Sequence, residues 1–222
     1  MCERFTQRYT WAEIQDFLDL SGPALDVAPH YNIAPTQRVD IVRLSAEGKR
    51  TMSRARWGFV PRFWKKDLKH LGATFNARAE TVAEKLTFRE AFRRRRCIIP
   101  ASGIYAWKGD QETGVPMYFT RVDDAPIVIA GLWDEWVEPG KSTPAVTSCT
   151  MIVTQANADM AAVHDSMPAI LEKDTNAAWL DGTAGAELLG PAPDDTLMHW
   201  PVSRRVNRVE NDDEKLIEPP AA

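Results

Sequence analysis

The stretch CIIPASGIYAWK (97–108) decides the fold class. Two short apolar runs, CIIP and GIYAWK, meet at a Ser-Gly corner, with no helix between them. The second run alternates with period two. Tyr105 and Trp107 fall on one face, Ile104 and Ala106 on the other. Further strand-like runs follow: PMYFTR (116–121), PIVIAGLW (126–133) and TSCTMIVT (147–154). Their turns carry Gly, Pro and Asp. Strands joined so closely pair antiparallel, because a parallel sheet needs a crossover, usually a helix, between strands.

Working outward, RVDIVRL (38–44) alternates like a half-buried strand. RARWGFVPRFW (54–64) starts as a strand and breaks at Pro61, and MHWPVSRRV (198–206) returns a final strand. Three helices are expected. TWAEIQDFLDLSG (10–22) has a capping box at Thr10 and Glu13, with Trp11, Ile14, Phe17 and Leu18 at helical spacing. TFREAFRRRR (87–96) has a second box at Thr87 and Glu90, and EKDTNAAWL (172–180) is the third. PHYNIAPTQ (29–37) reads as a loop, residues 181–198 as a long excursion, and NDDEKLIEPPAA (211–222) as a loose acidic tail. The expectation is an α+β chain with a mostly antiparallel sheet curled into a barrel-like core and flanked by helices. It forms one domain over 1–207, followed by an acidic tail over 208–222.

The 222 residues are 44% hydrophobic and 26% charged, a soluble profile long enough to bury a sizeable core. No apolar run approaches the roughly 20 residues of a membrane span. Cys2, Cys97 and Cys149 are scattered, with no C-x-x-C pair, which argues against zinc, a disulfide framework and an oxidising compartment. No cofactor or metal is implied, and a monomer in the cytoplasm is the expected state. The net charge of −4 does not suggest a nucleic-acid partner, but its distribution does. Residues 49–96 hold 15 Lys and Arg against 4 Asp and Glu, leaving 12 against 27 elsewhere. One positive face on an acidic body is the expectation.

Four spots carry candidate chemistry. Cys2 follows the initiator Met1 directly. Removal of Met1 gives an α-amine with a pKa of about 8 beside a thiol of about 8.5. That pair condenses with aldehydes: the amine forms a Schiff base and the thiolate closes a five-membered ring. In FNARAE (75–80), an extended backbone puts Asn76 and Arg78 on one face, an amide beside a phosphate-matching guanidinium. In VHDSMPAIL (163–171), His164 is a candidate general acid or base, although a lone His is more often structural. Trp57, Phe59, Phe63, Trp64, Tyr105 and Trp107 are aromatics near cations or on strands. They suit single-stranded nucleic acid or, more conservatively, a core.

Taken together these pieces resemble the SOS-response-associated peptidase (SRAP) family, whose members cap abasic sites in single-stranded DNA. The matching segments are MCERF, YNIAPTQ, WGFVPRFW, FNARAET, CIIPASGIYAWK, GLWDEW, MIVTQANADM, VHDSMPAIL and PVSRRVN, in family order. The resemblance implies a thiazolidine cross-link between Cys2 and the abasic-site aldehyde, with Asn76 and His164 as the other catalytic residues. It implies phosphate contacts from Arg4 and Arg78 and a pocket-lining Thr154. Asn32, Pro35, Trp57, Trp107, Met167 and Pro168 are implied to surround the DNA. The partner would be single-stranded DNA with abasic sites, and the protein would be nucleoid-associated when bound to it.

Three positions depart from the family pattern. Ala106 stands where the family has a glutamate, Ser166 where it has an arginine, and Glu3 where it has a glycine. These changes remove an acid, remove a cation and add an anion, which predicts weakened or retuned activity. Two alternatives follow: a non-catalytic single-stranded DNA-binding relative, and a cysteine peptidase with Cys2 as nucleophile and His164 as base, acting either on other substrates or only in autocatalytic removal of Met1. Retention of Met1 would close the thiazolidine route.

Overall fold

The structure is a computed structural model that describes residues 3–141 and 143–220. Its frame is β-rich. Strands β1 (Arg4–Gln7), β2 (His30–Ile33), β3 (Arg38–Leu44), β4 (Arg50–Trp57) and β5 (Asn76–Arg78) occupy the first third. Strands β6 (Arg96–Ala101), β7 (Gly103–Lys108), β8 (Val115–Arg121), β9 (Ile127–Trp136) and β10 (Val146–Gln155) follow. Strands β11 (Ser166–Pro168) and β12 (Leu197–Pro201) complete the set. The helices are α1 (Trp11–Leu18), α2 (Arg89–Arg94), α3 (Ala158–Ala161) and α4 (Asn176–Asp181).

Five strands close a ring in the order β10–β4–β3–β6–β9 and back to β10. All its pairings are antiparallel except β10 with β4. Closure removes the exposed edges that an open sheet must protect. One face of the ring strands gives Val39, Ile41, Trp57, Cys97, Ile99 and Met151 to a core shared with Phe5, Ile104, Ala106 and Phe119 of the second sheet. That sheet runs β12–β8–β7–β1–β2. The other face gives Val42, Ile98, Val128 and Leu132 to a core with Ile14 and Leu18 of α1, Phe92 of α2 and Trp179 of α4. The two-faced burial explains why β6 and the first part of β9 read as near-continuous apolar runs.

Most sequence expectations hold, including the α+β class, the barrel, the final strand and the Thr10–Glu13 capping box. Four local ones change. HYNI within the expected loop 29–37 is strand β2, because β1 supplies its hydrogen-bonding edge. Strand β4 ends at Trp57, before Pro61: Gly58 turns there with φ 144° and donates to the Cys149 carbonyl at 2.9 Å. The Thr87–Glu90 box does not form. Phe88 and Arg89 already donate to the Lys85 carbonyl, so the chain enters α2 through a backbone turn, and Glu90 pairs with Arg94 instead. The acidic stretch after residue 207 is packed: Leu216 is fully buried, and Asp212 and Asp213 bind His30 and Arg205.

The basic block also disperses. Arg95 is buried against Asp134 at 3.0 Å, with Arg62 on the same carboxylate at 2.9 Å. Arg96 lies over the Phe92 and Trp179 rings and donates to the carbonyls of Phe92, Trp179 and Ala184. Arg50 and Arg56 donate to the carbonyls of Leu18 and Gly58. These cations are held by groups of the protein itself. Exposed cations remain in the loop of residues 61–74 (Arg62, Lys65, Lys66 and Lys69), beside Phe63, which is 54% exposed.

Candidate active site

Strand β10 has two environments. Its first half, through Met151, lies in the ring between β4 and β9. Beyond the ring it takes new neighbours, β5 in parallel and β11 antiparallel. The turn at Gly58 makes this possible, since β4 leaves β10 at Cys149 and β5 joins at Met151. The register sets Asn76 opposite Met151, and both Arg78 and Pro168 opposite Val153. Asn76 and Arg78 share a face of β5, as alternation requires.

An open pocket of about 530 Å³ lies at this end of β10. Its walls include Arg78, Thr154 and His164, together with Glu80, Thr81, Gln155, Asp165 and Ser166. Three of the sequence-predicted site residues thus meet at one cavity, and Asn76 lies two residues from Arg78 on the same strand. Cys2 lies outside the described residues.

His164 is delivered by α3, which the sequence reading missed. Asn157 caps that single turn, its side chain accepting from the Met160 N–H at 3.0 Å. The Met160 carbonyl then accepts the His164 N–H at 2.8 Å. Its ring Nδ1 accepts from the Ser166 N–H at 3.1 Å and lies 3.1 Å from Asp165 Oδ1. The Ser166 hydroxyl is 3.3 Å from the same nitrogen. A neutral ring takes the Ser166 N–H. A protonated ring presents an Nδ1–H that the Asp165 carboxylate can accept. Nδ1 is thus held by a backbone donor with a carboxylate beside it, which orients the ring. The signal in the sequence was the pair Asp165–Ser166 directly after the histidine.

Trp57, the last residue of β4, is fully buried. It packs edge-to-face on Phe5 (5.0 Å) and Phe75 (5.8 Å). Its indole N–H donates to the Phe75 carbonyl at 2.8 Å. It thereby ties the strand that follows Cys2 to the strand that begins at Asn76.

Other residues expected around DNA have protein partners here. Arg4 is 6% exposed, and burial holds its guanidinium below the usual range. It donates to Asn32 Oδ1 at 2.9 Å and the Val206 carbonyl at 2.6 Å. Asn32 is 2% exposed, and the Trp107 indole N–H donates to Asn207 Oδ1 at 2.9 Å. Met167 is fully buried, with its sulfur accepting the Asn157 N–H, and Pro168 is also buried. Pro35 is half-buried beside Thr36, a non-glycine residue at φ 78° whose N–H is held by the Trp57 carbonyl at 2.7 Å. Ala106 is 5% exposed and packs in the same core as Phe5 and Trp57.

The fold has solved counterparts. A crystal structure of a Bacteroides thetaiotaomicron protein superposes with a TM-score of 0.85 at 19% identity, covering 99% of this chain and 100% of that one. A Bordetella bronchiseptica protein does so with 0.77 at 28% identity, over 91% and 100%. In sequence, the chain is 35% identical to the Bacillus subtilis "Abasic site processing protein YoaM", over 98% of both chains. It is 28% identical to the Gallus gallus "Abasic site processing protein HMCES", over 86% of this chain and 66% of that one. Among the described residues, no helix is long and apolar enough to cross a membrane. The model of the family described as SOS response associated peptidase (SRAP) matches residues 1–209, and the chain belongs to that family.

Proposed function

We propose that this chain processes abasic sites by binding single-stranded DNA and capturing the open-chain sugar aldehyde on Cys2. The observation that carries this reading is the gathering of Arg78, Thr154 and His164 at one pocket, in a chain whose relatives are named abasic site processing proteins. With Met1 removed, the Cys2 amine attacks the aldehyde carbon and water leaves as the imine forms. The thiol then adds to the imine carbon, so one C–N and one C–S bond replace the C=O. His164 moves the protons of ring opening and dehydration, with Ser166 and Asp165 serving its two states. Asn76 orients the reacting groups by hydrogen bonding. Arg78 neutralises a phosphate flanking the lesion. Phe63 and the cations of residues 61–74 carry the strand beyond the pocket by stacking and charge. The protein acts as a monomer in the cytoplasm.

The test mixes processed protein with single-stranded DNA containing one abasic site and resolves products on a denaturing gel. A heat-stable adduct is expected from the natural chain and none from Cys2→Ala. An equal adduct from Cys2→Ala overturns the reading. Ala106 and Ser166 favour a second reading, a relative that binds single-stranded DNA without reacting. It predicts equal affinity for abasic and intact strands, and preferential retention of the abasic strand excludes it.

A further inference from the structure

Arg4, Asn32 and Trp107 converge on one segment of the chain, residues 204–213. Arg4 donates to the carbonyls of Val206 and Asn207, and Trp107 to the side chain of Asn207. The Asn32 amide donates to the carbonyls of Val206 (3.2 Å), Arg208 (2.9 Å) and Asn211 (2.8 Å). In return, Asp212 Oδ1 accepts the backbone N–H groups of Tyr31 and Asn32, and its other oxygen binds His30 at 2.9 Å. Arg205 and Asp213 close the segment on itself with two contacts. Val206 is fully buried. Arg4 sits at the first residue of β1, two residues after Cys2, and two residues of extended chain reach at most about 7 Å.

We propose that residues 204–213 are a clamp that fixes the start of the N-terminal strand β1, on which the chemistry at the N-terminus depends, with Asn32 and Asp212 as positioning residues. The proposal rests on the covalent reading above. The physical basis is a connected set of polar groups, buried at Arg4 and Asn32 and reaching the surface at Asp212 and His30. Arg4, Asn32 and the Val206 carbonyl are buried and cost free energy if left unpaired, so strand and segment hold each other in one arrangement. A reacting terminus must be held closely, because a displacement of about 1 Å can cost on the order of 100-fold in rate.

The experiment compares Asp212→Ala, Asp212→Asn and Asn32→Ala. It measures single-turnover cross-linking at saturating abasic single-stranded oligonucleotide, affinity for the intact oligonucleotide, and amide hydrogen exchange at Phe5 and Thr6. Asp212→Ala is expected to slow cross-linking about 10-fold or more, to leave affinity within about twofold, and to speed exchange in β1. Asp212→Asn, which keeps an acceptor oxygen, recovers most of the rate. A wild-type rate with unchanged exchange overturns the clamp. So does a parallel fall of rate and affinity, which would make these residues DNA contacts. If Asn32→Ala fails to fold, the two Asp212 variants decide. If the natural chain forms no adduct, the covalent reading falls, and exchange in β1 alone judges the clamp.

Discussion

His164 shows how a lone histidine becomes a candidate catalyst. Its ring is held through Nδ1 by a backbone N–H and faces a carboxylate at 3.1 Å. That arrangement fixes the orientation of the ring. His164→Ala is expected to slow adduct formation about 100-fold or more while leaving DNA affinity near normal; equal single-turnover rates would remove the residue from the chemistry. Arg78 differs in kind. It is exposed at the pocket, and its proposed role is to neutralise charge. Arg78→Ala should weaken binding of all single-stranded sequences alike and lower the slope of log affinity against log salt by about one. Both residues were visible in the sequence because each sits in a short polar motif inside an apolar run. The roles of Arg4, Asn32 and Trp107 were not visible. Their partners lie about 100 to 200 residues away, and no local pattern reports a contact at that separation.

At the level of elements, the site exists because β10 outlasts its ring partner β4. Gly58 makes the exit, and a side chain there would collide with Arg56, which itself holds the Gly58 carbonyl at 2.6 Å. Trp57, the last residue of β4, then braces β1 and β5 together. Trp57→Ala should therefore cost about 3–5 kcal/mol of stability by urea unfolding, with activity lost through both strands; a loss under 1 kcal/mol would mean the bracing is absent. Trp57 also illustrates a limit of sequence reading. An aromatic among arginines suits stacking on bases as well as packing, and only burial decides between them. The barrel strands were legible because apolar residues run through 97–101 and 127–132 without polar breaks. The single turn of α3 was not, since four residues carry no periodicity.

Across the whole molecule, charge is arranged by the fold rather than by the sequence block. Asp40 is a buried example. Burial raises its carboxyl above the usual range, against the opposing pull of Arg54, His30 and the Tyr9 hydroxyl. A carboxyl raised in the folded state contributes stability below its unfolded pKa and loses that contribution as pH rises through its folded value. Asp40→Asn is thus expected to have a higher urea midpoint than the natural chain at pH 7. The difference should close below about pH 4. A difference that stays constant with pH would contradict this.

The central claim is that Cys2, once it is the N-terminus, takes the abasic-site aldehyde into a ring. Intact mass measures it most directly, before and after incubation with single-stranded DNA bearing one abasic site. The expected result is a protein lacking Met1, then a species equal to protein plus oligonucleotide less one water, absent in Cys2→Ala. A chain that lacks Met1 yet keeps its unmodified mass after incubation would contradict it.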